Sequence, residues 1–194
     1  MQIVQRWRYH WLKLQALVLL LANRQAAALR RFDAMRQCAP HDRYVLASCA
    51  HMLARCGDTA SGVQMLRSLT ALHPDDAVAW FNLAYLLQTQ DDADPAEHAF
   101  RRALEVDESL DRAWYGLALL LIRSLRLDEA VAALERNTLL QPMSPYGWYQ
   151  LARVQQARHQ PDEALRIIRH LHGFEPKVAA QLERETGLYV RSQK

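Results

Sequence analysis

Along the chain, apolar residues recur at three- and four-residue steps, the period of amphipathic helices, and strict strand-like alternation is absent. The stretches AWFNLAYLL, AWYGLALLL and GWYQLARVQ place Trp80, Trp114 and Trp148 at one constant interval. The same interval links Ala84, Ala118 and Ala152, then Ala96, Ala130 and Ala164, then Phe100, Leu134 and Ile168, and Pro142 and Pro176 close two of the units. Projected backwards, the register meets Ala50 and Ala16, Gly62 and Ala28, Leu66 and Phe32, and Pro74 and Pro40. Five units follow, at 9–42, 43–76, 77–110, 111–144 and 145–178, after an N-terminal extension of residues 1–8.

Each unit reads as an αα-hairpin. Trp, Leu and Ala four or fewer residues apart cover one face of a first helix, while the later small residue and the bulky residue after it cover the facing side of a second. The small columns let the two helices approach closely. Gly57 in CGD predicts a left-handed helix end, DADPAE offers Asp94 as N-cap with Pro95 in the first helical place, and Asp162 and Glu163 sit as acids at a helix start. The stretch KVAAQLERETGLY from Lys177 predicts a closing helix ending near Gly187, so that residues 179–194 form a capping helix and tail. The predicted fold class is all-α.

Composition sharpens this picture. With 194 residues, 51% hydrophobic and 23% charged, and only six Gly and seven Pro, the chain can bury a full core and has little room for linkers. The run LQALVLLLANRQAAALRRF, preceded by Arg6, Arg8 and Lys13, has the outline of an export peptide. The register decides against that: Ala16 falls in the small column and Pro40 closes the unit, so the run predicts the first helix of the first repeat. Its unbroken apolar part, Ala16 to Ala22, is far below the roughly 20 residues of a membrane span. Three cysteines form no even framework, and Cys49 and Cys56, seven apart on one helix, lie too far apart for a disulfide, which points to a reducing, cytoplasmic setting. Lysine is scarce beside arginine, a bias expected of a GC-rich bacterial genome.

These columns resemble the tetratricopeptide repeat, whose pattern W-x2-L-G-x2-Y, A-x3-F and P has the same period as the units found here. The resemblance covers Tyr9 to Val178. Departures are Leu12 and Leu46 in the Trp column, Glu108 for a closing Pro, Gln155 for an aromatic, and Met35, Leu69, Asn137 and Leu171 in a later column that is usually small. The resemblance implies a right-handed α-solenoid whose first helices line a concave groove for peptides or protein segments. It places in that groove Tyr44, His51 and Arg55 of repeat two, Phe81, Tyr85 and Gln88 of repeat three, Arg112, Tyr115 and Arg123 of repeat four, and Tyr146, Tyr149 and Arg153 of repeat five. Rings interleaved with guanidinium groups suit a ligand with apolar anchors and acidic residues. Phe81, Tyr115 and Tyr149 also stand where the family places a packing aromatic. The residues that grip chaperone C-termini in some relatives are incomplete here: Asn82 is in place, but Ala47, His51, Arg112 and Gly116 do not complete the set.

Enzymatic chemistry finds no purchase: there is no Gly-rich phosphate loop, no G-x-S-x-G and no H-E-x-x-H. His170 and His172 point to different helix faces, Cys49 falls in a core column, and no cofactor or metal is expected. Arg30, Arg31 and Arg36 are accounted for by a solvated second helix, so nucleic acid is not the expected partner. The expected function is a non-catalytic interaction module, an adaptor or assembly factor, with a secretion-type chaperone or a regulatory subunit of a membrane or envelope complex as alternatives. Trp11 and Val18 occupy places that pack on a preceding repeat, which repeat one lacks. With Trp7, and with Ile3 and Val4 folding over them in part, they predict a second contact surface at the N-terminal end, for self-association or docking, rimmed by Arg6, Arg8 and Lys13.

Overall fold

A computed structural model describes the backbone of residues 2–190 and the side chains of residues 6–190. Within these lie eleven α-helices and no strand: α1 (Gln2–Leu21), α2 (Gln25–Cys38), α3 (Arg43–Arg55), α4 (Thr59–Leu72), α5 (Ala77–Thr89), α6 (Ala93–Val106), α7 (Asp111–Arg123), α8 (Leu127–Leu140), α9 (Pro145–Ala157), α10 (Pro161–His172) and α11 (Pro176–Thr186). The chain is an all-α helical-repeat solenoid of five helix pairs and a closing helix. It divides into two compact units, Met1–Val106 and Asp107–Lys194. In the first, α1 packs on α2, α3 on α4 and α5 on α6, with α2 against α3 and α4 against α5; in the second, α7 packs on α8, α9 on α10, α8 against α9, and α11 against α9 and α10. Among the described residues no helix is long and apolar enough to cross a membrane.

Counting from the first residue of each unit, the small residues at place 8 (Ala16, Ala50, Ala84, Ala118, Ala152) and at place 20 (Ala28, Gly62, Ala96, Ala130, Ala164) are all buried. So are the bulky residues at place 24: Phe32, Leu66, Phe100, Leu134 and Ile168. The apolar run of α1 is therefore tied in at Leu12 and Ala16, which share a core with Phe32, Met35, Val45, Cys49 and Met52.

The tryptophans behave differently from the core residues the pattern predicts. Trp80, Trp114 and Trp148 are half-buried, and each indole N–H donates to a backbone carbonyl six residues earlier: Pro74 at 3.0 Å, Glu108 at 2.8 Å and Pro142 at 2.8 Å. The acceptor is the oxygen of place 32, not its side chain. Glu108 thus serves as well as proline. Arg102 and Arg136 lie over the rings of Trp80 and Trp114, at 5.7 and 6.0 Å from the centroids.

The turn inside each hairpin uses one left-handed residue at place 15. Gly57 has φ 90°, as its type predicts, and Asn23, Asp91, Leu125 and His159 adopt φ 54–64° at the equivalent positions. Asn, Asp and His tolerate this conformation better than most residues, whereas Leu has no local compensation for the clash of Cβ with the backbone. The expected cap at Asp94 is displaced: α6 begins at Ala93, so Asp94 and Pro95 lie in its first turn. Other helices are capped by aspartates, with Asp42, Asp58 and Asp76 accepting from the backbone N–H groups of Val45, Ser61 and Ala79. At the C-terminal end, Gly187 at φ 70° closes α11.

One departure from the small-residue columns is compensated. Asn137 is buried, and its Nδ2 donates to the Asp111 carbonyl at 2.9 Å. Gly147 makes room for it, because a Cβ there would overlap the Asn137 Oδ1 and approach Thr138 Cγ2 to 3.0 Å. Gly147→Ala is accordingly expected to cost about 1–3 kcal/mol by overpacking and loss of that hydrogen bond, read from chemical denaturation. Leu125→Gly should have the opposite sign. Relief of the left-handed strain, about 1–2 kcal/mol, exceeds the extra flexibility of glycine in the unfolded chain, leaving roughly 0.5–1 kcal/mol of stabilisation. In calorimetry the melting temperature should rise by about 1–3 °C, and a fall would mean that this turn is not held as described.

Candidate functional site

In the first unit the predicted groove residues fall on α3 and α5. Repeats three, four and five carry Phe81, Tyr115 and Tyr149 at place 5, all half-buried, and Phe81 packs against Phe100 with centroids 6.2 Å apart. Repeat two has Ala47 at this place. The missing ring, together with Ala50 and Ala54 one and two turns on, opens a cavity of about 410 Å³ beside α5. Leu66 and Leu86 contribute to its apolar lining, and His51, Arg55, Asn82, Tyr85 and Thr89 bring polar atoms to it. His51, Arg55 and Tyr85 are exposed, and among the described residues none of these three side chains, nor Asn82, has a hydrogen-bond or ion-pair partner. The site can therefore take an aliphatic side chain and offer donors to a carboxylate or a peptide group.

Sequence reasoning named His51, Arg55 and Tyr85 but used Ala47 only to exclude one binding mode. The signal for the cavity was present as an alanine in a column that carries rings in repeats three to five. Tyr44 lies apart from it: its ring meets Phe32 edge-on at 6.1 Å and carries the Lys13 ammonium 4.2 Å from its centroid. Lys13 thereby faces repeat two instead of forming a rim. Gln88 is half-buried on α5 and does not line the cavity.

In the second unit Tyr149 and Arg153 come together with α11. The Tyr149 hydroxyl donates to Glu185 Oε2 at 2.6 Å, Gln181 donates to Glu185 Oε1 at 2.8 Å, and the Arg153 guanidinium lies 5.6 Å from the Tyr149 centroid. The hydrogen bonds from Tyr149 and then Gln181 hold the Glu185 carboxyl below the usual range, and the same contact with Glu185 raises the Tyr149 phenol. The closing helix thus occupies the hydroxyl that the sequence assigned to a ligand. Tyr146, Arg112 and Arg123 are exposed on α9 and α7, and Tyr115 is half-buried.

The groups weighed for chemistry have structural surroundings. Cys49 is buried, and burial followed by the nearby Asp33 charge pushes its thiol up to about 11. His170 packs on Trp148 and Phe174 at 4.5 and 5.4 Å, and His172 Nε2 meets Glu183 Oε1 at 3.1 Å. Among the described residues no group of three or more His, Cys, Asp or Glu is placed to hold a metal ion. Arg30 and Arg31 lie on α2, where Arg36 pairs with Asp33 at 2.8 Å. At the N-terminal end Trp7, Trp11 and Val18 are exposed on α1; Ile3 and Val4, expected to fold over them, have side chains outside the described residues.

Two tetratricopeptide-repeat family models match, over residues 45–86 and 77–110. No curated protein sequence matches the chain. Among solved structures, the fold is similar to that of MamA from Desulfovibrio magneticus, with a TM-score of 0.77 at 18% identity over 92% of this chain and 96% of that one. It is similar also to a tetratricopeptide repeat protein from Parabacteroides merdae, with a TM-score of 0.79 at 17% identity over 93% and 74%. A third, YrrB, described as a TPR protein with an unusual peptide-binding site, gives a TM-score of 0.72 at 16% identity over 87% and 88%. Helix pairs recur at the interval that separates Trp80, Trp114 and Trp148, and the family models match at the centre of that series, so residues 45–110 carry tetratricopeptide repeats and the fold is that of solved tetratricopeptide-repeat structures.

Proposed function

We propose that this protein is a non-catalytic interaction module, an adaptor or assembly factor, that binds an extended segment of a partner protein on the α3–α5 face. The observation that carries this reading is the alanine-lined cavity with an unpaired arginine at its rim. An aliphatic side chain of the partner enters between Ala47, Ala50 and Leu86, the Tyr85 ring covers it, and Arg55 pairs with a carboxylate beside it, an acidic side chain or a chain terminus. Place 5 is half-buried, so its side chain is free to vary without loss of the helix pair. Repeats three to five use that freedom for rings, and repeat two uses it for space. The peptide-binding site named for YrrB supports the class of ligand.

The test uses a change that fills the cavity with what the neighbouring repeats already contain. Random peptides displayed on phage are selected on the wild-type chain and measured against Ala47→Phe, Tyr85→Ala and Arg55→Glu. Selected peptides should share an aliphatic residue next to an acidic one. Each substitution should weaken their binding by about 1–3 kcal/mol, the range of aromatic and arginine hot spots, with the circular-dichroism spectrum and melting temperature unchanged. Undiminished binding to folded Ala47→Phe would refute the assignment of this cavity.

A further inference from the structure

Among the described residues, α1 carries the longest row of exposed large apolar side chains: Trp7 (75% exposed), Trp11 (61%), Leu14 (53%), Val18 (55%) and Leu21 (89%). Their spacing, 4, 3, 4 and 3, is that of a coiled-coil seam, and at 3.6 residues per turn they form one stripe about 20 Å long. The other repeats supply an internal control. Trp11 and Val18 stand at places 3 and 10, which are Val45 and Met52, Ala79 and Leu86, Ala113 and Leu120, and Gly147 and Val154 in the repeats that follow. All eight of those residues are buried. The outer face of α1 thus has the composition of a surface covered by a helix. The closing helix α11 is built differently, with Lys177, Gln181 and Arg184 exposed on it.

We infer that the α1 stripe is a homodimer interface, in which α1 of one copy packs antiparallel on α1 of a second about a two-fold axis near Leu14. Three observations select this occupant. The first is area: the exposed parts of these side chains with Leu17 sum to roughly 700–800 Å², close to the ~800 Å² per partner of a stable interface and above the largest patch usual on a monomer. The second is shape. The bulky indoles lie in the first half of the stripe and the smaller Val18 and Leu21 in the second, so an antiparallel pair sets Trp11 against Val18 and Trp7 against Leu21, whereas a parallel pair would oppose like with like. The third is charge. No acid precedes Asp33 in the sequence, and Arg6 and Arg8 flank the stripe at its start. Parallel helices would bring these arginines together. Antiparallel ones bring them to the C-terminal carbonyls of the other α1, whose last turn has no basic residue of its own, with Arg24 beyond the helix end.

The experiment measures the mass of the full chain by light scattering after gel filtration, from nanomolar to high micromolar concentration. The wild type should have twice the chain mass, and Trp11→Lys with Val18→Lys, which sets like charges against each other in the antiparallel pair, should have the single mass with unchanged helicity; Val18→Lys alone, should the pair fail to fold, should raise the dimer dissociation constant by at least about 30-fold. With Cys38 and Cys56 replaced by Ser, Leu14→Cys should cross-link to itself on mild oxidation. A mixture of Trp7→Cys and Leu21→Cys chains should cross-link to each other. Self-cross-linking of Trp7→Cys would establish a parallel pair and overturn the arrangement. A wild type that stays monomeric throughout overturns the dimer, and if that monomer also binds phosphatidylglycerol vesicles through Trp11, the stripe is a lipid-facing surface instead.

Discussion

The fold depends on one close approach, between place 8 of the first helix and place 20 of the second in every hairpin. In repeat two the contact is visible atom by atom: a Cβ on Gly62 would lie 3.2 Å from the Ala50 carbonyl oxygen and 3.1 Å from Leu86 Cδ1. Backbones this near admit only Gly or Ala on one side and Ala on the other, and both are buried in all five units. The bulky residue at place 24 fills the space that the small pair leaves beside it. Because that contact fixes how the two helices meet, other columns can change character. Glu108 replaces proline while its carbonyl still receives the Trp114 indole, and Asn137 enters an apolar column where Gly147 yields the volume and Asp111 the hydrogen-bond acceptor.

What the sequence made legible follows from this division. Helix number, the pairing of helices and the buried columns rest on residues that must repeat because backbone contact requires them, and a comparison of the chain with itself at the repeat interval finds them directly. The left-handed turn at place 15 was legible only at Gly57. Asn23, Asp91, Leu125 and His159 adopt the same conformation with side chains that do not advertise it, because the geometry of the two packed helices imposes the turn and the residue absorbs the strain. The tryptophans were misjudged for a related reason: their spacing identified the repeat, but an indole that must reach a carbonyl in the preceding loop stays half-exposed.

The candidate site was partly legible. Tyr85, Arg55 and His51 emerged from places that face outward on the first helices, and they do line one cavity. Tyr149 and Arg153 emerged by the same rule, yet Tyr149 bonds Glu185 of the closing helix. The period could not reveal that contact, since α11 follows the last complete unit and its polar residues have no counterpart column. The helix α11 packs on α9 and α10 through residues outside the repeated columns, so the repeat period does not predict its contacts.

Binding sites in a repeat protein are then best sought by subtraction. A ring at place 5 takes up volume beside its own first helix, and an alanine there, as at Ala47, leaves an apolar space walled in part by the buried Ala50, Leu66 and Leu86. The cavity requires no strained backbone and no buried unpaired charge, because Arg55 and His51 stay in water at its rim until a ligand arrives. A single substitution in a half-buried column can therefore create or erase such a site while the contact between places 8 and 20, on which the hairpin depends, is left untouched.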